Sequence, residues 1–240
     1  MINFSDRRPA SSRMFATALL GAAVLVAPIH ASPAAATMSV SQVIVEFSKP
    51  GQRRADVEVQ NRGRERMYVL VTPAMIVNPG TSSERRVKVA DPGKLGLLVT
   101  PQRMILEPGQ RKLVRFAMLA PPQGKDRIFR VTIKPVVGKL RTRQTAVKIV
   151  VGYDLLVMQR PSKAQATVTG KRQGRWLTVR NTGNTNALLF DGKQCRSAKK
   201  CKRLPARRIY AGASWKVKLP RSGPVNFLVR VGNRTTKKTF

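Results

Sequence analysis

The chain has 240 residues, with 46 Lys and Arg against 11 Asp and Glu, a formal charge of +35 and 42% hydrophobic residues. That apolar content excludes a disordered polycation, and the length allows one large domain or two ordinary ones. The only histidine is His30, in a segment that we expect to be removed, so the processed protein would have no imidazole for a general base or a catalytic triad. A conventional hydrolase is therefore disfavoured.

Residues 1–36 have the three-part layout of a secretory signal peptide. A basic segment with three arginines precedes an apolar stretch at 14–28, and three alanines at 34–36 offer small residues for cleavage. A short membrane anchor is the alternative, but the apolar stretch is short and no basic stop-transfer flank follows it. We expect Sec-type export to the periplasm, which would leave 43 basic and 10 acidic residues, or +33 on 204 residues.

From Met38 onward, apolar and polar residues alternate with a period of two, and no amphipathic stretch is long enough to require a helix. Turn residues such as Asn78-Pro79-Gly80 and Glu107-Pro108-Gly109 separate the alternating segments. Seven strands at this spacing are typical of an immunoglobulin-like sandwich. We predict them at 40–47, 54–60, 67–77, 95–106, 112–118, 127–136 and 144–158.

Arg160-Pro161-Ser162 interrupts the pattern, and a second series of shorter segments follows. The sequence therefore predicts an all-β protein with two immunoglobulin-like sandwich domains, at 37–159 and 160–240. A short Arg-Pro linker would set the two domains at an angle around a cleft. The strands of the second domain are predicted at 165–169, 175–180, 186–190, 207–210, 214–219 and 225–231.

Cys195 and Cys201 are the only cysteines, and they lie in a very basic loop. In an exported protein such a pair indicates a local disulfide. Two thiolates without a histidine cannot supply four zinc ligands, and the spacing differs from that of a redox Cys-x-x-Cys motif. We therefore predict a structural disulfide and no metal site.

Several segments resemble the periplasmic pilus-assembly chaperones of the chaperone/usher pathway, the PapD-like proteins. They are GLLVTPQRMILEPGQRKLVRF at 96–116, DRIFRVTIKP at 126–135 and the long alternating strand that ends at Gln159-Arg160-Pro161. MIVNPGT at 75–81 and RNTGNTNA at 180–187, with the nearby cysteines, are more similar to the alternate branch that serves alpha-type fimbriae. The resemblance covers nearly all of residues 38–235.

The resemblance implies a function in pilus assembly. Subunits of such pili are sandwiches that lack their last strand, and the chaperone lends an edge strand to the open groove before an outer-membrane usher receives the subunit. The donor strand here would be 144–158, and Val147, Ile149 and Val151 fall on the positions that enter the subunit in the family. From alternation alone these three residues would be ordinary core, so their role depends on the resemblance.

The site that anchors a subunit departs from the family pattern. Familiar members hold the subunit's C-terminal carboxylate with two basic residues, but Ile44 and Leu156 occupy the corresponding positions here. A carboxylate in the cleft still requires a cation. We predict Arg130, because it interrupts an apolar strand beside the donor strand, with Lys148 and Arg115 as further candidates. The alternative for each is a solvated face of the sandwich.

The family's charge network between the domains is partly present. Arg160 matches the linker arginine, and Asp126 is a candidate for its acid. Residues 220–235 offer no acid opposite them, so the angle between the domains could be held differently.

Three other functions fit parts of the sequence. The cations could bind nucleic acid or anionic lipid, but the aromatic residues are few and scattered, and an exported protein seldom meets nucleic acid. A secreted basic structural or adhesive sandwich, or a pilus subunit, is the main alternative. An enzyme has no recognisable acid/base pair, phosphate loop or metal set, and no cofactor or small-molecule substrate is implied. We predict a chaperone whose partners are fimbrial subunits and the usher.

Overall fold

The computed structural model describes residues 38–136, 151–197 and 200–240. These residues are nearly all β, as the sequence predicted. The proposed signal peptide lies outside the described residues. No helix among those residues is long and apolar enough to cross a membrane.

The first sandwich contains two sheets that pack face to face. One sheet has four strands in the order β1-β3-β8-β6, and the other has the order β2-β10-β9-β4-β5, with β7 paired to β4. The elements are β1 (Met38–Val40), β2 (Ile44–Phe47), β3 (Arg54–Asn61), β4 (Met67–Val77), β5 (Arg85–Val87), α1 (Pro92–Leu95), β6 (Leu97–Thr100), β7 (Arg103–Leu106), β8 (Arg111–Met118), β9 (Arg127–Val136) and β10 (Tyr153–Gln159).

The core of this sandwich follows from strand alternation. In β8, Val114, Phe116 and Met118 are buried, while Leu113 and Arg115 between them are exposed. Phe129 of β9 is fully buried in the same cluster. Fully burying one such side chain stabilises the fold by about 1.5 to 3 kcal/mol, so the inward rows of the two sheets hold the sandwich together.

The second sandwich also has two sheets, β11-β12-β16 and β14-β13-β17-β18, with β15 paired to β13. Its core is a separate cluster around the fully buried residues Leu177, Leu189 and Phe227. The strands are β11 (Val168–Gln173), β12 (Trp176–Asn181), β13 (Ala187–Cys195), β14 (Cys201–Leu204), β15 (Arg207–Ile209), β16 (Ser214–Lys218), β17 (Asn226–Val231) and β18 (Arg234–Thr239).

Two predicted strands were wrong in extent because the chain changes sheets within them. The segment 40–47 is divided into β1, which pairs with β3, and β2, which pairs with β10. The segment 95–106 contains the end of α1 and then β6 and β7, which belong to different sheets and flank the cis peptide bond between Thr100 and Pro101. An alternating pattern continues through such a crossing because both strands bury every second residue.

Short elements were also missed. The sequence predicted neither a helix at Pro92–Leu95 nor strands at Arg85–Val87, Cys201–Leu204 and Arg234–Thr239. The helical turn begins after Asp91, whose carboxylate accepts from the backbone N–H of Gly93, as an N-cap does. Segments of three or four residues carry too little periodicity to be recognised.

The predicted disulfide between Cys195 and Cys201 is confirmed. The two residues are register partners in the β13–β14 hairpin. The bond therefore staples a local hairpin. The proposed domain limits, 37–159 and 160–240, stay predictions, although β10 ends at Gln159.

A buried asparagine closes the same kind of turn in each sandwich. Asn61 and Asn181 are fully buried at the ends of β3 and β12, each two residues before a glycine. The side-chain amide of Asn181 donates to the carbonyls of Thr185 (2.8 Å) and Ile209 (3.1 Å), and its oxygen accepts from the N–H of Gly183 (3.1 Å). Each asparagine thus satisfies backbone groups that have no water nearby.

We expect Asn181→Ala to destabilise the protein by about 3 kcal/mol, because the buried carbonyls and N–H groups around it would lose their partners. Denaturant unfolding of the two proteins measures the difference. Arg180→Ala is the matched control, since Arg180 is an exposed neighbour on the same strand. Equal midpoints for the Asn181 variant and the wild type would contradict the role of the buried amide.

Candidate functional site

Strand β10 is partnered along only part of its length on one side. It pairs with β9 from Tyr153 to Gln159, but its parallel pairing with β2 covers only Leu156 to Gln159. The last contact at this end joins the N–H of Leu156 to the carbonyl of Val43 at 3.0 Å. Among the described residues, the segment from Tyr153 to Leu155 therefore has a strand neighbour on one side and an open edge on the other.

The predicted donor residues lie beside this open edge in the sequence. Val147, Ile149 and the anchor candidate Lys148 lie outside the described residues. Val151 is described and is 43% exposed. By the alternation of β10 it falls on the side of Tyr153 and Leu155, which contribute to the core. An apolar side chain thus continues the inward row beyond the part that the sandwich covers.

Arg130 lies on the outer face of the same sheet, in a cluster with one carboxylate. Its Nη1 donates to the backbone carbonyl of Asp154 at 3.3 Å, and its Nε is 3.9 Å from the Asp154 carboxylate. Arg86 donates to the same carboxylate at 2.5 Å, and Thr132 donates to it at 2.9 Å. Two guanidinium groups share one carboxylate, so the cluster has a net positive charge and unused donors on Arg130.

The register places this cation next to the positions where the family has its basic residues. In the sheet order β2-β10-β9, Ile44 is the partner of Leu156, and Leu156 is the partner of Arg130. The three residues are consecutive lateral neighbours on one face. The cation has therefore moved one strand inward from the expected pair of positions.

The structure does not bring Arg115 to this cluster. Arg115 lies on β8, in the other sheet of the sandwich, where Nε and Nη2 each donate to a carboxylate oxygen of Asp56 at 2.9 Å. This bidentate contact lowers the pKa of the Asp56 carboxyl. Arg115 is thus far from the outer face of β9 and already paired, so we leave it out of the site. Arg86 was missed by the sequence interpretation because only the cross-strand register reveals its proximity to Asp154.

Arg160 is a buried charge between the two sandwiches. It is 5% exposed and donates to the Glu46 carboxylate of the first sandwich and to the Thr185 hydroxyl of the second. It also contacts the backbone carbonyl of Asn186 at 3.3 Å. The acid that balances Arg160 is therefore Glu46, which the sequence interpretation did not identify.

Asp126 joins the same contact from the first sandwich. One carboxylate oxygen accepts from the Thr185 hydroxyl at 2.7 Å, and the other accepts from the backbone N–H and the side-chain amide of Asn186, both at 2.6 Å. Both second-sandwich partners are fully buried. The two sandwiches are thus joined by a guanidinium and a carboxylate that meet neutral polar groups, which explains how the contact forms without an acid in residues 220–235.

Apolar packing lies next to these polar contacts. On the outer face of the β9–β10 sheet, Ile76, Ile128, Leu156 and Met158 are buried as a separate cluster, and Tyr210 of the second sandwich packs against it. Burial raises the pKa of the Tyr210 phenol. The second sandwich therefore covers the position of Leu156 and stops short of Arg130.

A polar cavity of about 500 Å³ lies between the sandwiches. Ile44 and Glu46 line it from one side, and Arg208 and Arg230 line it from the other. Burial lowers the pKa of the Arg208 guanidinium, whose Nη1 donates to the side-chain oxygen of Asn186. Neither Arg208 nor Arg230 forms an ion pair among the described residues, so this cavity is a second cationic region near Ile44.

An exposed apolar patch lies at the other end of the outer face. Ile105, Tyr68 and Val136 are neighbours across β7, β4 and β9, and each is 41% to 51% exposed. They border a groove of about 860 Å³ that Arg103 and Lys112 flank. Contiguous apolar surface of this kind commonly marks a protein contact.

Similar proteins are known by sequence, although no protein-family model matches the chain. The chain is 29% identical over 152 residues to one of the CFA/I fimbrial proteins of Escherichia coli, a protein named as a fimbrial subunit, and the match covers 59% of this chain and 62% of that protein. It is 30% identical over 162 residues to the probable fimbrial chaperone EcpE of Escherichia coli strain K12, and this match covers 62% of this chain and 64% of that protein. The chain thus spans less than two thirds of the length of these relatives.

Solved structures share the fold. The class 5 fimbriae chaperone CfaA matches with a TM-score of 0.61 and 22% identity, over 84% of this chain and 98% of that chain. Structures of chaperones in complex with a tip adhesin or a pilin are also similar. The resemblance to the PapD-like chaperones is confirmed, and the similarity to CfaA agrees with the alternate branch.

We expect Asp126→Ala to loosen the contact between the sandwiches, because three buried donors would lose their acceptor. Small-angle scattering would show a larger radius of gyration, and limited proteolysis would cut faster in the linker after Pro161. Asp56→Ala is the matched control, because it removes an exposed carboxylate from the first sandwich alone. An unchanged radius and cleavage rate in the Asp126 variant would show that the carboxylate does not hold the contact.

Proposed function

We propose that this chain is a periplasmic chaperone that stabilises incomplete fimbrial subunits by strand donation and delivers them to an outer-membrane usher. The observation that carries the proposal is the open edge of β10 between Tyr153 and Leu155, which continues directly from the segment that contains Val147 and Ile149. The sequence and fold similarities to fimbrial chaperones support it.

Strand donation follows from the physics of an open edge. A free strand edge presents unpaired N–H and C=O groups, and an incomplete sandwich presents the complementary edge together with an exposed core. Pairing the two satisfies both backbones, and alternate side chains of the donor enter the groove. Val147, Ile149 and Val151 would each contribute about 1.5 to 3 kcal/mol when buried in the subunit, before ordering costs are subtracted.

The subunit's terminal carboxylate would be held by Arg130 and Arg86. These residues share Asp154 and keep a net positive charge, and Arg130 lies two strand positions from the cleft residue Ile44. A guanidinium can bind a carboxylate with two parallel hydrogen bonds. The partly exposed cluster would accept the carboxylate without exposing a fully buried charge to rearrangement.

Delivery to an usher requires a second contact surface that a bound subunit leaves free. The patch formed by Ile105, Tyr68 and Val136 meets this requirement, because it lies on the outer face at the end away from Tyr210 and the second sandwich. We place the usher contact there. Its apolar centre and basic border resemble the layout of transient protein interfaces.

A fimbrial subunit is the second candidate function, because one similar protein carries that name. A subunit would assemble with copies of itself through a donated strand. A chaperone would form a one-to-one complex with a different protein. Purification of the exported chain alone and together with a neighbouring fimbrial subunit distinguishes the two, since only a subunit would form fibres.

We expect Ile149→Asp to abolish recovery of a soluble subunit upon periplasmic co-expression, because a charge would enter the subunit's apolar groove. The yield of the one-to-one complex, measured by affinity purification of the subunit, checks this. Val150→Asp is the matched control, since strand alternation directs residue 150 away from the groove. Equal subunit recovery with Ile149→Asp and with the unaltered chain would contradict strand donation by this segment.

We expect Arg130→Ala to weaken subunit binding about tenfold, equivalent to about 1.4 kcal/mol, through loss of a charge-assisted hydrogen bond. Arg86→Ala should act in the same direction. Arg115→Ala is the control, because it removes an exposed guanidinium from the opposite sheet. Dissociation constants for the purified complexes measure the effect.

The result that would overturn this anchor is specific. If Arg208→Ala or Arg230→Ala weakened the complex and Arg130→Ala did not, the carboxylate would lie in the cavity between the sandwiches. Strand donation would survive that result, because Ile149→Asp tests it separately.

A further inference from the structure

The positive charge is unevenly distributed between the two sandwiches. Residues 161–240 contain twenty Lys and Arg and a single acidic residue, Asp191. Residues 38–160 contain twenty-three Lys and Arg and nine acidic residues. The second sandwich therefore carries more net charge on fewer residues, and subunit capture by the first sandwich does not require that charge.

One face of the second sandwich concentrates cations without any acid. The register of β11, β12 and β16 places nine residues on the outer face of this sheet, in three rows across the strands. The rows are Gln173-Trp176-Lys218, Lys171-Thr178-Lys216 and Thr169-Arg180-Ser214. Four of the nine are Lys or Arg, and none of these four forms an ion pair among the described residues. We call this surface the β12 face.

The first sandwich treats its outer face differently. On the sheet that contains β3 and β8, Arg115 pairs with Asp56 at 2.9 Å and Arg111 pairs with Glu58 at 3.4 Å. Those strands alternate cations with acids across the register. Solubility alone is served by mixed charges, so the unmixed β12 face points to an anionic partner.

Trp176 gives the β12 face an apolar centre. Its side chain is 42% exposed, and the ammonium groups of Lys216 and Lys218 lie 5.0 Å and 6.0 Å from the centre of its ring. The second tryptophan, Trp215, instead packs against Phe227 on the core side. An exposed indole among lysines has the chemistry of the bilayer interface, where the ring lies at the headgroup level and cations meet lipid phosphates.

We propose that the β12 face binds the surface of a bilayer that contains anionic phospholipid. The lysines and Arg180 would contact lipid phosphates, and Trp176 would enter the headgroup region. The face is a regular three-stranded sheet with no groove along it, so it suits an extended surface better than a strand of nucleic acid, which would need several stacking aromatics. The site lies on a different sandwich from Arg130 and the β10 edge, so the proposal is independent of subunit capture.

Vesicle co-sedimentation tests the proposal with the full chain. Vesicles of phosphatidylcholine alone are compared with vesicles that also contain phosphatidylglycerol, at low and high salt. Each cation near an anionic surface contributes about a fivefold change in partition, so Lys216→Glu with Lys218→Glu should reduce binding to the anionic vesicles at least about tenfold. The matched control reverses two exposed cations of the other sheet, Arg234→Glu with Lys237→Glu, and should retain most of the binding.

Fluorescence provides a second readout that charge alone would not change. Anionic vesicles should shift the tryptophan emission of the wild type to shorter wavelength, and Trp176→Phe should lose the shift because Trp215 is packed against the core. Equal losses in the two double charge reversals would overturn the proposal, because binding would then follow net charge. Tighter binding to a single-stranded oligonucleotide than to anionic vesicles, with no dependence on Trp176, would also overturn it.

Discussion

The arrangement of this molecule depends on one buried guanidinium. Arg160 is 5% exposed, and a charge in such a place is tolerated only if its donors are satisfied by well-placed partners. Glu46 on β2 and Thr185 in the second sandwich supply them. The ion pair with Glu46 fixes β2 beside the end of β10, and the contact with Thr185 fixes the second sandwich beside the first. The open part of the β10 edge begins where β2 stops, so the same interaction that closes the interface leaves the strand free toward its N-terminal end.

The sequence predicted the fold class, the disulfide and most strands, because these depend on local alternation, turn residues and cysteine spacing. It failed at 40–47 and 95–106, where the chain crosses between sheets, since a crossing changes the strand neighbours without disturbing the alternation. The candidate site was found in part for the same reason. Arg130 stood out as a charge within an apolar strand. Arg86 and Glu46 did not, because their importance comes from partners 68 and 114 residues away.

The net charge has a different meaning in each sandwich. In the first, arginines of β8 are balanced by acids of β3, and the unbalanced cations are the few near Asp154. In the second, a single acidic residue faces twenty cations. Mutual repulsion along exposed strands prevents self-pairing in both. Only the second sandwich has an entire sheet face whose cations are unpaired among the described residues, so total charge alone would have concealed the feature that matters.

The position of the cation on β9 follows from the packing of the interface. Leu156 is 7% exposed among Ile128 and Met158 and beneath Tyr210 of the second sandwich. A lysine or arginine at Leu156 would lose its water without gaining an acid, which is costly. One strand inward, Arg130 is 35% exposed and shares the Asp154 carboxylate with Arg86. An interface sealed by apolar residues at Leu156 therefore requires the anchoring cation to lie outside it, and β9 is the adjacent strand on the same face.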